Sequence, residues 1–402
     1  MRRQRTQVGL ENDYDVLLEL AETTLYYEAY LADLLPEWTD HGSISFRVES
    51  ADGTHINRSV ELPQRAYPTT AIPSSISLPR TNSAGFYAGH RVVPGVDDAV
   101  GYILIEHQAG FREFLEENAA AGANDTTPQA RAQVPSATEE FRDLVVDMAE
   151  RGTETLIVDL RFDVGGTDTM ADILVYFLYG WEGLRAYLGD QHIAGGFSAM
   201  RYSELHFEHC ANQTIESVTA DKEGVPFAVG EYDFDESTGT EDERRAEVAA
   251  VNLATHVVDN YVNATTFHEE VSTGEFAGYY TPQNVVVLVS PATFSAGSTT
   301  MRALDLAGAV LVGTPSGQSM KAFGNGTLWS LDNTGIRGLI ARSYFDPYPN
   351  DPERSEVWPI DMPMTYEDLA AFAFDPNAEL LYALEWLATQ DPEPPSEGGD
   401  RP

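Results

Sequence analysis

Val285-Val286-Val287-Leu288-Val289 is a run of five branched apolar residues that ends just before Thr293-Phe294-Ser295-Ala296-Gly297-Ser298. The run is too short for an ordinary helix and fits a strand covered on both faces. Small residues at 296 to 298 let a helix start directly behind Ser295, so its first unbonded N–H groups point toward whatever meets the hydroxyl. A chain that passes from buried strand to helix at a serine can display a nucleophile there. The same pattern also suits a plain helix cap, so the turn alone assigns no reaction.

Leu156-Ile157-Val158-Asp159-Leu160-Arg161 reads as a second buried strand, running into Phe162-Asp163-Val164-Gly165-Gly166. Paired glycines at a strand's end suit a tight turn with exposed amides. Such amides can hold an oxyanion, a phosphate or nothing at all. Gly101-Tyr102-Ile103-Leu104-Ile105 is a third strand. Ser136 with Glu139 forms a capping-box pattern, Phe141, Leu144, Val145 and Met148 make one helical face, and Gly152 closes that helix. Met170, Ile173, Leu174 and Phe177 continue the alternation of strand and helix, which predicts an α/β fold with largely parallel strands.

The chain has 402 residues and a formal charge of −40, with two lysines, Lys222 and Lys321, against 22 arginines. Such a surface repels nucleic acid. Its self-repulsion would be screened in about 1 M salt, where the Debye length is roughly 3 Å, so the composition reads as adaptation to a high-salt environment. No apolar run approaches the roughly 20 residues that span a bilayer. Met1-Arg2-Arg3-Gln4-Arg5 is basic like the start of an export signal, but Leu10-Glu11-Asn12-Asp13 follows where an apolar segment should be, so no signal peptide is expected in the chain as given. Cys210 is the lone cysteine. With His206 and His209 it would share a helical face, but no second ligand cluster accompanies them and no metal is expected.

Three features occur in one order: Thr155 to Gly166, the Ser295 turn, and Leu311-Val312-Gly313-Thr314-Pro315-Ser316-Gly317. With Gly101-Tyr102-Ile103 before them and Pro359-Ile360-Asp361-Met362-Pro363 after, they resemble the C-terminal processing, or tail-specific, serine peptidases. The branch they resemble more closely is that of the tricorn protease core and the interphotoreceptor retinoid-binding modules. Asp163 and Val164 stand where the family usually has Asn and a small residue or Pro.

The resemblance implies a Clp protease/crotonase-like spiral of ββα units over residues 98–388, within which the many acids and weak apolar periodicity of about 211–247 read as a solvated insertion. It also implies hydrolysis of a peptide or protein substrate through an acyl-enzyme, without metal or organic cofactor. Ser295 would attack, the N–H of Ala296 with that of Gly165 or Gly166 would hold the oxyanion, and Lys321 or a histidine yet to be identified would be the base. Lys321 lies 26 positions after Ser295, near the spacing of the lysine-using branch, although aligning Gly313 puts Ser319 at the lysine's place. The tricorn-like branch takes a histidine from an N-terminal helical cap, for which Thr39-Asp40-His41-Gly42 is the nearest approximation, with a late glutamate such as Glu353 or Glu356. His107 follows the first strand of the region and is a further candidate. The alternative is an inactive relative that holds a peptide or apolar ligand in the same cleft. Family members are often exported, and a cap and signal upstream of Met1 are therefore conceivable.

Residues 1–97 form the accessory segment. Tyr14 to Leu35 has helical spacing, and Ile44–Glu49 with Arg58–Leu62 alternates around Asp52-Gly53 as a hairpin, where the resemblance suggests a partial PDZ-like or accessory element. Residues 118–135 read as a flexible excursion, and 389–402 as a disordered tail.

Overall fold

The computed structural model describes Asn12, Tyr14 and residues 43–49, 55–61, 74–93, 99–120, 126–209, 214–221, 228–253, 273, 276, 278–330, 333–335 and 337–389. Apart from Tyr14, the expected helix from Tyr14 to Leu35 lies outside the described residues, as do His41, Cys210 and the expected tail beyond Thr389, which itself ends the last helix. The hairpin is present: β1 (Ser43–Glu49) pairs antiparallel with β2 (His55–Glu61), Phe46 opposite Arg58.

The next elements in chain order are β3 (Phe86–Arg91), β4 (Val100–Ile105), α1 (Arg112–Ala120), α2 (Pro128–Arg131), α3 (Ala137–Arg151), β5 (Thr155–Asp159) and α4 (Thr169–Ile193). Then come β6 (Phe197–Arg201), α5 (Glu204–His209), α6 (Ile215–Asp221), β7 (Tyr232–Glu236), α7 (Glu241–Ala250), β8 (Asn284–Val289), α8 (Ala296–Ala307) and β9 (Val310–Gly313). The chain finishes with β10 (Ala322–Ser330), β11 (Arg337–Asp346), α9 (Pro352–Glu356), β12 (Met362–Pro363), α10 (Tyr366–Ala371) and α11 (Ala378–Thr389).

The main sheet runs β12-β9-β8-β5-β4-β3, parallel throughout except for the β3–β4 pair. Its central strands are apolar without a break because each face is covered. Leu156, Val158, Val285 and Val287 pack with Phe141, Leu144 and Met148 of α3 and with Met301 and Leu304 of α8. Ile157, Val286 and Leu288 face the other way, onto Leu380, Ala383 and Leu384 of α11. This is the α/β fold with parallel strands that the motifs imply.

Three local expectations turn out differently, wholly or in part. Ser136 Oγ caps α3 by accepting the Glu139 N–H at 3.1 Å, but the reciprocal arm does not come from Glu139, which binds Arg112 instead. Buried Glu113 replaces it, accepting Ser136 Oγ–H and the N–H groups of Ala137 and Thr138 at 3.1 and 3.0 Å. The excursion at 118–135 contains the end of α1 and all of α2. The acidic stretch faces solvent yet is partly regular: β7 is the last strand of a second, antiparallel sheet ordered β10-β11-β6-β7, and α7 opens on a capping box of Thr240 and Glu243.

Parallel pairing of β5 with β8, with Asp159 opposite Leu288, ends both strands on one edge. The turns at 160–168 and 290–295 are therefore neighbours despite their separation in sequence.

Candidate active site

Four contacts lock the two turns together. Leu160 N–H donates to Leu288 O at 2.9 Å, Thr293 Oγ1 to Leu160 O at 2.8 Å, Ser290 Oγ to Arg161 O at 2.6 Å, and Phe294 N–H to Asp163 O at 2.8 Å. Ser295 then caps α8 with φ 53° and ψ −125°, a left-handed conformation that costs a residue with a Cβ about 1–3 kcal/mol. Its backbone N–H donates to Gln318 Oε1. The side chain stays exposed, and among the described residues nothing hydrogen-bonds its Oγ.

The glycine pair is needed because backbone meets backbone here. A Cβ on Gly165, which has φ +93°, would lie 2.5 Å from Ser295 Cβ and 2.8 Å from Ala296 N. On Gly166, at φ +150°, it would lie 1.9 Å from Gln108 O. The glycines thus allow the two turns to approach until the 165–166 amides stand beside the serine.

Only some of those amides are available to a ligand. Gly165 N–H is taken by Asp163 Oδ1 at 2.9 Å. The N–H groups of Gly166 and Ala296 have no acceptor among the described residues, and both residues line the cavity that contains Ser295. Two free donors that line the same cavity as an exposed hydroxyl are the kind of group that can stabilise a developing oxyanion. Ala296 adds the positive end of the α8 dipole.

Beneath them, Gln108 joins the turns: its Nε2 donates to Asp163 Oδ2 at 2.6 Å, Thr300 Oγ1 at 2.7 Å and Ala296 O at 3.2 Å. Burial raises the Asp163 carboxyl to about 6, against the opposing effect of hydrogen bonds from Gln108 and Gly165. Gln108 and Gln318 escaped the sequence reading because neither lies in a motif, and their partners are 188 and 23 positions away.

The cavity has a volume of about 820 Å³ and extends from Ser295 past Gln318 and Arg302 to His192. Lys321 is not among its lining residues. Its ammonium is half-exposed and pairs with Glu356 Oε2 at 2.8 Å, and that bond raises its pKa above the ordinary lysine value. A lysine base must be neutral, whereas Lys321 is held charged. Lys321→Met is therefore expected to cost at most about 1 kcal/mol of stability through the lost ion pair, as read by chemical denaturation.

The histidines are placed as follows. His107 packs under Gly85, where a Cβ would come within 2.4 Å of its ring, and it does not line the cavity. His192 does line it, with Nε2 on Glu247 Oε2 at 2.8 Å and Nδ1 on Ser237 Oγ at 3.1 Å. His206 is buried on α5 with Nδ1 at 2.8 Å from Arg342 Nη1. Among the described residues no group of three or more His, Cys, Asp or Glu could hold a metal. No described helix is long and apolar enough to cross a membrane.

The family model of Peptidase family S41 matches residues 100–354, well over half the chain. The chain belongs to peptidase family S41. No curated protein sequence matches it. It is similar to the solved structure of mature CPAF complexed with lactacystin, at 15% identity and TM-score 0.39, covering 93% of this chain and 74% of that one. It is also similar to the photosystem II D1 C-terminal processing protease, at 12% identity and TM-score 0.32, covering 85% of this chain and 57% of that one. A lipoprotein from Streptococcus agalactiae matches at 11% identity and TM-score 0.32, covering 75% and 69% respectively.

Within this S41 chain, the Asp159-Leu160-Arg161 element supports the site instead of facing it. Arg161 is 2% exposed and Asp159 fully buried, paired at 2.7 Å. Arg161 also reaches Glu379 at 3.0 Å, Asn377 at 3.0 Å and Pro376 O at 3.3 Å, and Tyr102 Oη donates to Asp159 Oδ2 at 2.6 Å. The pair fastens the start of α11 to the end of β5, directly below the glycine turn.

Proposed function

We propose that this S41 serine peptidase cleaves peptide bonds with Ser295 as nucleophile and the N–H groups of Ala296 and Gly166 as the oxyanion hole. The observation that carries the reading is the pair of free amides beside an exposed serine hydroxyl at a strained strand-to-helix turn. Ser295 Oγ would bond to the substrate carbonyl carbon as its proton leaves, and the carbonyl oxygen would take the negative charge between the two amides. Collapse expels the amine, which takes up the proton, and water then hydrolyses the ester. Two acceptors are proposed for the proton. One is Lys321, should its ion pair with Glu356 open. The other is a histidine, for which His41 is the sequence candidate outside the described residues.

The test is direct. Wild-type protein in molar KCl should be labelled by a fluorophosphonate probe and should cleave casein or unstructured peptides. Folded protein that does neither would return the chain to the class of ligand-holding relatives.

We also propose adaptation to high salt, from the −40 charge. Screening shortens from about 10 Å at 0.1 M to about 3 Å at 1 M, so repulsion among surface carboxylates falls over that range. The melting temperature is expected to climb steeply between those concentrations of KCl; a flat profile counts against the proposal.

A further inference from the structure

Asp163 is fully buried between the two turns that meet at Ser295, and it is clamped there from three sides. Its backbone oxygen accepts the Phe294 N–H at 2.8 Å, and its carboxylate accepts Gly165 N–H at 2.9 Å and Gln108 Nε2–H at 2.6 Å. On the third side lies the first turn of α8: a Cβ on Gly297 would come within 2.6 Å of Asp163 O and 3.0 Å of Asp163 Cγ. Gly165 precedes Gly166 and Gly297 follows Ala296. The carboxyl therefore contacts the residue next to each of the two free amides.

Both donors to the carboxylate are neutral, and among the described residues no cation comes within 4.0 Å of it. The charged groups of the surrounding elements are engaged elsewhere. Arg161, two positions earlier, pairs with Asp159 and Glu379, and Glu106, just past β4, accepts Thr81 Oγ1–H at 2.7 Å. Asp168 bonds Thr299 in the cavity, Arg302 bonds Tyr348, and the His107 ring packs under Gly85. Burial thus acts on Asp163 without a compensating charge, and the carboxyl titrates at about 6.

The neutral acid also has a place in this packing. Gln108 Oε1 is buried and has no hydrogen-bond partner among the described residues, and a half-turn of the amide would present it to an Asp163 O–H. Thr300 Oγ1, 2.7 Å from Nε2, is a hydroxyl that can donate as well as accept.

An ionised Asp163 opposes the charge that the neighbouring amides would hold. Like charges interact more strongly in a dry site than in water, and the penalty falls on the tetrahedral oxyanion, not on the neutral substrate carbonyl. We propose that Asp163 is a proton-controlled brake on the oxyanion site, peptide cleavage being faster with its carboxyl protonated than with it ionised. The inference rests on the peptidase reading of Ser295.

The experiment measures kcat/KM for one uncharged peptide from about pH 5 to about pH 8.5 in constant molar KCl, on wild-type protein and on Asp163→Asn, an isostere that cannot ionise. Titration of the general base is common to both proteins and cancels in their ratio. The variant should be faster by about tenfold or more at about pH 8, and the ratio should shrink toward one as the pH falls through the Asp163 titration. A ratio that stays flat with pH, the mark of a structural role, overturns the proposal, as does a variant slower than wild type at about pH 8.

Thermal melts give a second reading. A carboxyl whose pKa is raised in the folded state contributes stability while protonated and loses it as pH rises through the folded value. Asp163→Asn should therefore melt above wild-type protein at about pH 8 and by a shrinking margin toward about pH 5; a constant margin contradicts the proposal. Wild-type protein alone supplies a third. By carbon-13 NMR, the Asp163 carboxyl should titrate about one pH unit higher, or more, once a peptidyl boronic acid has formed a tetrahedral adduct on Ser295, and an unmoved midpoint overturns the proposal. Absence of cleavage by both folded proteins sinks the peptidase reading and this proposal with it. Cleavage with a flat ratio sinks this proposal alone.

Discussion

Ser295→Ala is expected to lower kcat/KM for peptide hydrolysis by about 10⁴-fold or more, while the melting temperature stays at the wild-type value. The size follows from chemistry: without Oγ no acyl-enzyme can form, and what remains is whatever binding and the Gly166 and Ala296 amides do for attack by water. The unchanged stability follows from the fold. Ser295 Oγ makes no hydrogen bond among the described residues, and the turn is held by backbone contacts and by Gln318 on the backbone N–H, all of which alanine retains. Stability should therefore move by no more than about 0.5 kcal/mol. Steady-state kinetics beside a thermal melt separates the two effects. Activity that survives the substitution would place the chemistry elsewhere in the molecule.

Arg161→Met is expected to do the opposite kind of damage, a loss of about 3–5 kcal/mol of stability. Burial alone would lower the pKa of this guanidinium, but Asp159 and Glu379 hold it above its ordinary value, so it is a cation throughout the accessible pH range. Its removal leaves the fully buried Asp159 carboxylate with the Tyr102 hydroxyl and one backbone N–H as partners. That is an uncompensated charge in an apolar sheet edge. Denaturant titration at fixed high salt reads the loss, and hydrogen exchange should show α11 opening first, because Pro376, Asn377 and Glu379 lose the same partner. Arg161→Met with Asp159→Leu should recover much of the deficit, since replacing both partners by apolar groups removes the stranded charge. A single-variant loss under about 1 kcal/mol would mean that the pair contributes no more than an exposed one.

What was readable in one dimension is what local periodicity and turn chemistry encode. Val285–Val289 and Leu156–Asp159 announced strands covered on both faces, Ser136 and Gly152 marked the ends of α3, and the paired glycines marked a turn where no Cβ fits. Parallel pairing of adjacent strand ends then did the rest, bringing the 165–166 turn against Ser295. What was hidden depends on side chains meeting across the fold. Glu113 usurps the capping role assigned to Glu139, and Gln108 and Gln318 buttress the serine turn from loops with no pattern of their own. Lys321 stands near a suggestive spacing, but Glu356, a partner that spacing cannot show, keeps it charged. The acidic stretch looked featureless because acids dominate it and the two aromatic residues that alternate with them in β7, Tyr232 and Phe234, lie mostly exposed. Its partner β6 is 30 or more positions earlier, as with Phe197 opposite Glu236.

Ser295 and the amides of Ala296 and Gly166 are proposed to form one reaction centre. A crystal structure of the protein treated with a peptidyl boronic acid would show whether they do. The expected result is boron bonded to Ser295 Oγ, with one boronate oxygen about 2.7–3.1 Å from both amide nitrogens. A boronate bonded to another residue, or one whose oxygens all turn away from Gly166 and Ala296, would contradict the claim.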